Sequence, residues 1–243
     1  MGMRFRISVV ICAFFVSCVA MAVDSTLKVA VVSGGHPFDE KSFYAMFEGV
    51  PGVDCAKIPL KDDSEIFEDI SNWSYDVVVL YNFTQKISDK RKANLLTLTE
   101  RGVGFVVLHH AIANYADWPE YRKIVGARYY LEDVEENGVK HPRCEYEHGV
   151  DFKIHVEDAA HPIVKGIADF TINDETYKGY SLEPDNHLLL TSNNPKSQKE
   201  VGWTRVYKKS KVCYLQMGHG ESIFADENFR RLVTQSIQWT AAK

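Results

Sequence analysis

The sequence predicts an α/β domain on a doubly wound, mostly parallel sheet, with a β-rich insertion in its second half. Three observations carry this expectation. Residues 27–33, 75–80 and 104–108 are short, nearly unbroken apolar runs rich in β-branched residues, the pattern of strands buried on both faces. Segments of helical length lie between them, so strand and helix signals alternate along the first half. With 243 residues, 45% hydrophobic and 12% aromatic, the chain can fill one generous core, and wholesale disorder is excluded.

Taken in order, the first strand, 27–33, stops at Gly34-Gly35. A helical candidate at 41–47 leads to a weaker strand at 53–58. The run 75–80 is followed by a helix at 88–101, opened by Ser88-Asp89-Lys90-Arg91 and stopped by Gly102. Ala93, Leu95, Leu96 and Leu98 supply its apolar side. Strand 104–108 follows, then a helical candidate at 117–125, and the weaker strand at 53–58 completes a βαβαβ pattern. Residues 132–143 are polar and read as a loop or excursion. Val150-Asp-Phe-Lys-Ile-His-Val156 alternates as a half-exposed strand does, and further strands are expected at 170–172, 188–191, 201–207 and 212–217. Residues 207–211 read as a hairpin turn between the last two. A helix at 229–240 closes the chain, with Leu232, Val233, Ile237 and Trp239 available for its buried side. No internal repeat or linker appears, so residues 23–243 read as one domain.

Residues 1–22 stand apart. Arg4 and Arg6 precede an apolar stretch from 7 to 22 that ends in Ala20-Met21-Ala22, the layout of a secretory signal peptide. The alternative is an N-terminal membrane anchor, although about 16 apolar residues fall short of the roughly 20 that span a bilayer. Phe15-Val16-Ser17-Cys18 loosely resembles a lipobox, so lipidation at Cys18 is a second alternative. Cleavage after Ala22 removes Arg4 and Arg6 from the 28 basic residues and none of the 33 acidic ones, taking the formal charge from −5 to −7. Such an acidic chain is a poor nucleic-acid partner, because phosphate binding needs a basic face. Cys55, Cys144 and Cys213 remain after cleavage. An odd count permits at most one bridge, and Cys55 and Cys213 sit in apolar runs as small buried residues do.

Ligands in open α/β sheets collect beyond the carboxyl ends of the strands. Four strand ends here carry polar residues: Gly34-Gly35-His36, Tyr81-Asn82, His109-His110 and Gly218-His219-Gly220. If these strands are parallel neighbours, three histidine-bearing loops meet on one rim. Each histidine also has a plainer reading as a structural hydrogen-bonding residue. From an extended chain His109 and His110 would point to opposite sides, one into the cleft and one into packing or backbone bonding. His141, His148, His155 and His187 lie in polar stretches and read as surface residues, and His161-Pro162 as a turn. Asp174-Glu175, expected just after a strand ending at 173, is either a surface pair or an acid/base carboxylate reaching the rim. Imidazoles with a carboxylate suit Zn²⁺ or a similar divalent ion, and His36, His110, His219 and Glu175 are the candidate donors, although no HExxH spacing is present. There is also no GxSxG elbow, P-loop or GxGxxG fingerprint, so neither a nucleotide nor a flavin is indicated.

Val-Ser-Gly-Gly-His-Pro-Phe38, Gly-Val-Gly-Phe-Val-Val-Leu-His-His-Ala111, Asp-Glu-Thr-Tyr177 and Val-Cys-Tyr-Leu-Gln-Met-Gly-His-Gly220, followed by Asn228-Phe-Arg-Arg-Leu232 and Trp239, occur in this order. Together they resemble the trehalose-utilisation (ThuA-like) family. The resemblance runs from about Leu27 to Trp239 and implies a flavodoxin-like sheet of the class I glutamine amidotransferase type. Those amidotransferases carry a Cys at the strand–helix turn where this chain has His109-His110, so glutaminase activity is not implied. What the resemblance implies is sugar handling, in disaccharide catabolism beside oxidoreductases that make 3-keto sugars, often by exported proteins.

Two functional classes follow. In the first, the protein is an exported enzyme acting on a glycoside or 3-keto-glycoside. Its catalytic residues are then drawn from His109, His110, Asp174 and Glu175, and its sugar contacts from His36, Asn82, Tyr177, Trp203 and His219. Tyr177 or Trp203 would offer an aromatic face, though a core role suits Trp203 better. In the second, it is a non-catalytic carbohydrate-binding or partner module on the same fold.

Overall fold

The computed structural model describes residues 26–61, 64–136 and 138–242. The segment read as a signal peptide, with Cys12 and Cys18, lies outside the described residues. Nine strands form the main sheet: β1 (Leu27–Gly34), β2 (Val53–Pro59), β3 (Val77–Asn82), β4 (Gly104–Leu108), β5 (Glu145–Val156), β6 (Phe170–Lys178), β7 (His187–Thr191), β8 (Glu200–Tyr207) and β9 (Ser210–Leu215). Among the described residues five α-helices accompany them: α1 (Glu40–Ala45), α2 (Asp89–Arg101), α3 (Pro119–Val125), α4 (Glu221–Ala225) and α5 (Glu227–Ala241). The strand order is β2-β1-β3-β4-β9-β8-β7-β5-β6.

The first five strands in that order are parallel, and their side chains alternate between two cores. Val29, Val31, Val77, Val79 and Val106 face the layer of α1, α4 and α5. Ala30, Val32, Val78, Leu80 and Phe105 face the layer that holds α2 and α3. Burial on both faces is why these runs are continuously apolar. Helix ends follow local chemistry. Ser88 caps α2 by accepting from the Arg91 N–H, and Gly102, at φ +81°, ends the helix. Asp226 caps α5 by accepting from the Phe229 N–H at 2.9 Å.

The second half differs from expectation. The β-rich part is not an insertion beside the sheet: β8, β7, β5 and β6 extend it antiparallel, so four parallel pairings are matched by four antiparallel ones. The sheet is mixed, not mostly parallel. Single-sequence patterning cannot separate these cases, because an antiparallel strand buried on both faces reads as a parallel one does. Within 132–143 a small hairpin pairs Val134–Glu136 with Val139–His141 in place of a loop. Residues 207–210 do turn between β8 and β9, with Lys208 at φ +54°.

Strand β6 lies five places from β4, roughly 24 Å away in a flat sheet. The β5–β6 hairpin is joined to β7 only through Val156 and His155. Held at one end, it leaves the sheet plane, folds back over the carboxyl ends of the parallel strands and packs against α4.

Candidate functional site

Strands β1, β3, β4 and β9 are consecutive neighbours, so their carboxyl-end loops form one rim. The β1 loop fits against the end of β3 because Gly35 has no side chain. At φ +73° a Cβ there would stand 2.0 Å from the Phe83 carbonyl oxygen. His36 follows, stacked on His110 with ring centroids 4.9 Å apart. After β4 the chain does not stay extended. His109 adopts φ +51° and opens a 3₁₀ turn, His109–Ala113, so both histidines of the pair reach the site instead of diverging.

Glu175 is the centre of the arrangement. Its Oε2 lies 2.8 Å from His109 Nε2 and 3.2 Å from His219 Nδ1, and its Oε1 lies 3.3 Å from His148 Nδ1. His109 Nδ1 donates to the Gln216 carbonyl at 2.6 Å, and the Tyr177 hydroxyl lies 2.8 Å from Nε2. Burial opposes ionisation of Glu175, but the hydrogen bonds from His109 and His219 outweigh it and hold the carboxyl well below the usual carboxylate range. The same bond raises His219 above the ordinary histidine value, against the effect of its burial. His110 goes the other way, since desolvation pushes it well below 6.5. Its Nε2 donates to the Tyr81 carbonyl at 3.1 Å, leaving Nδ1 as a buried acceptor without a partner. His36 is lowered too, chiefly by burial, and its Nδ1 donates to the Pro37 carbonyl.

Beside this cluster lies a cavity of about 250 Å³, lined by His36, His110, His148, Glu175 and Tyr177 together with Arg143, Tyr129, Tyr146 and Phe83. Of the residues singled out from sequence, His36, His109, His110, Glu175, Tyr177 and His219 are brought together. Three are not. Asp174 is buried on the other side of β6, where its oxygens accept from the N–H groups of Gly218 (2.7 Å) and His219 (3.0 Å). It fixes the loop that presents His219 and does not itself reach the cavity. Both carboxylates lie inside β6, which continues to Lys178, so adjacent positions face opposite ways. Asn82 is fully buried, donates to Thr84 and does not line the cavity. Trp203 is also fully buried, and its Nε1 donates to the Val125 carbonyl at 2.8 Å. It belongs to the core.

His148, read from sequence as a surface residue, is indeed exposed, but its contact with Glu175 was not foreseen. Strand β5 has an irregular register between Glu147 and Val150, opposite Glu175, with Gly149 at φ +64°. This bulge turns His148 toward the carboxylate. The signal was present in Glu-His-Gly-Val, where Gly149 breaks the alternation that resumes at Val150. Arg143 and Tyr129 had no such local signal.

A family model described as trehalose utilisation, ThuA, matches residues 28–240. The chain belongs to the ThuA family. Solved structures agree with that fold. A ThuA-like protein from Parabacteroides merdae superposes with a TM-score of 0.71 at 18% identity, covering 90% of this chain and 91% of its own. One from Bacteroides uniformis gives 0.65 at 20% identity, covering 90% and 93%. A cytoplasmic protein from Salmonella typhimurium gives 0.60 at 14% identity, covering 89% and 100%. No curated protein matches this chain in sequence. At these identities the likeness is one of fold, while membership of the ThuA family supports a carbohydrate-related role.

Proposed function

We propose that this ThuA-like protein is an exported enzyme of disaccharide or keto-glycoside catabolism, with 3-keto-glycosides as the favoured substrates. The observation that carries the reading is one buried carboxylate, Glu175, shared by His109, His148 and His219 beside a cavity that His110 also lines. Because Asp174 is tied to backbone N–H groups, it does not join Glu175 as the carboxyl pair flanking a glycosidic bond that ordinary glycosidases use. A 3-ketone needs less. It acidifies the C2–H bond, so a base can remove that proton and the electron pair can expel the C1 oxygen, which leaves protonated as the alcohol. The product is an unsaturated ketone, to which water can then add.

The pKa values are separated as such acid/base work requires. His110 is neutral with a bare Nδ1, suited to accept the C2 proton. The His219–Glu175 pair carries the proton that a leaving oxygen or developing enolate needs. Tyr129, Tyr146 and Tyr177 give the sugar ring apolar faces. Residues 1–22 would direct export and be removed.

The test is turnover of glycosides and their 3-keto derivatives by the purified mature chain, followed as release of the aglycone. Release from a 3-keto-glycoside, abolished in a folded His110→Ala/Glu175→Ala double variant, is the expected result. Binding without turnover would overturn the enzymatic reading and leave a carbohydrate-binding module. Full activity of the double variant would overturn the assignment of the site.

A further inference from the structure

We propose that His109, Glu175 and His219 form a binding site for one divalent transition-metal cation of the zinc class. One ligand atom from each of the three residues lies within 4.8 Å of the others. Metal–ligand bonds of about 2.0–2.2 Å at tetrahedral angles put donor atoms roughly 3.3 Å apart. Here Glu175 Oε2 is 2.8 Å from His109 Nε2 and 3.2 Å from His219 Nδ1, so small side-chain rotations admit the ion. Two imidazoles and a carboxylate are a donor set that zinc and its neighbours favour over magnesium or calcium.

The supporting groups are those a ligating histidine needs. His109 donates its Nδ1 proton to the Gln216 carbonyl at 2.6 Å, which aims Nε2 at the carboxylate. Asp174 clamps the backbone N–H of His219, and Gly218 at φ +140° lets that loop pass His109, whose Cβ would be 3.1 Å from any added Cβ. In this arrangement Glu175 Oε2 faces two imidazole nitrogens at once.

Burial is lopsided in a way that leaves a position open. The His109 side chain is 0% exposed and that of Glu175 6%, while that of His219 is 31% exposed. Glu175 and His148 border the cavity, so a fourth position can take water or a substrate oxygen, as in catalytic sites. His36 and His110, suggested by sequence as donors, stack on each other and stand outside the cluster.

The experiment uses the untagged mature chain, purified without chelator. Its zinc, manganese, iron, cobalt and nickel are quantified by elemental mass spectrometry. Stripped protein is then titrated with Zn²⁺ by calorimetry and with Co²⁺ by visible absorption. One cation per chain and a tetrahedral Co²⁺ spectrum are expected. Glu175→Gln and His219→Ala variants with parental circular dichroism should bind at least tenfold more weakly, and His161→Ala should bind as the parent does. Absence of saturable binding, or unchanged affinity in the Glu175 and His219 variants, overturns the site. Carbohydrate turnover separates this inference from the function proposed above. A bound metal without sugar turnover upholds the site and removes that function, and turnover by a chain that binds no metal does the reverse.

Discussion

Replacing Glu175 by Gln keeps shape and volume and removes one buried negative charge. In the parent, Oε2 accepts from His109 at 2.8 Å and faces His219 at 3.2 Å. Hydrogen bonds to charged groups contribute about 1.5–3 kcal/mol each. A glutamine oxygen can retain one of the two. The net cost is therefore about 1–3 kcal/mol, a fall in Tm of roughly 2–10 °C for a chain of this size. The effect on turnover is larger, because positioned acid/base groups contribute about 10²–10⁴-fold and the variant loses the anion that keeps His219 charged. Initial rates on a 3-keto-glycoside should fall at least ~100-fold, and the His219 ring protons should titrate at lower pH by NMR. Turnover within about threefold of the parent, in a folded variant whose His219 titration is unmoved, would refute the central role of Glu175.

Three further outcomes are expected. Trp203→Phe leaves the Val125 carbonyl without its indole donor and should cost about 1–3 kcal/mol of stability with unchanged KM; a raised KM at parental stability would return Trp203 to the substrate site. The three described cysteines are free, and burial pushes Cys55 and Cys144 to about 11 and Cys213 to about 12. A disulfide reagent should therefore count three thiols in denaturant and react slowly with the native chain, whereas fewer than three would reveal a bridge. Burial keeps His110 neutral in the folded state, while the unfolded chain takes up its proton near 6.5. Stability then falls as pH drops below 6.5, by at most ~1.4 kcal/mol per unit from this group. The raised pKa of His219 acts oppositely, its contribution being full below 6.5 and lost as pH rises through the folded value. Urea melts between pH 5 and 7 should show a shallower acid loss in His110→Gln, and equal slopes would contradict a neutral, buried His110.

The sequence by itself determined the parallel half, its helices and the rim. Runs such as Val29–Val32 and Val77–Leu80 are buried on both faces, and Ser88 and Gly102 bound α2 by chemistry confined to a few residues. Because loops at the carboxyl ends of parallel neighbours must meet, His36, His109, His110 and His219 were legible as one group. The tertiary structure alone decided how Glu175 joins them. That depends on the β5–β6 hairpin leaving the sheet through a two-residue junction and bringing a distant edge strand back over β4. It also decided which of two adjacent carboxylates works at the site. Asp174 and Glu175 look alike in sequence, but a strand turns them to opposite sides, one to backbone N–H groups and one to imidazoles. His148 is exposed, as its polar surroundings imply, yet the irregular register of β5 brings it to Glu175. Local pattern tells how much of a side chain is buried, while the partner it meets is set by chain that lies far away in sequence.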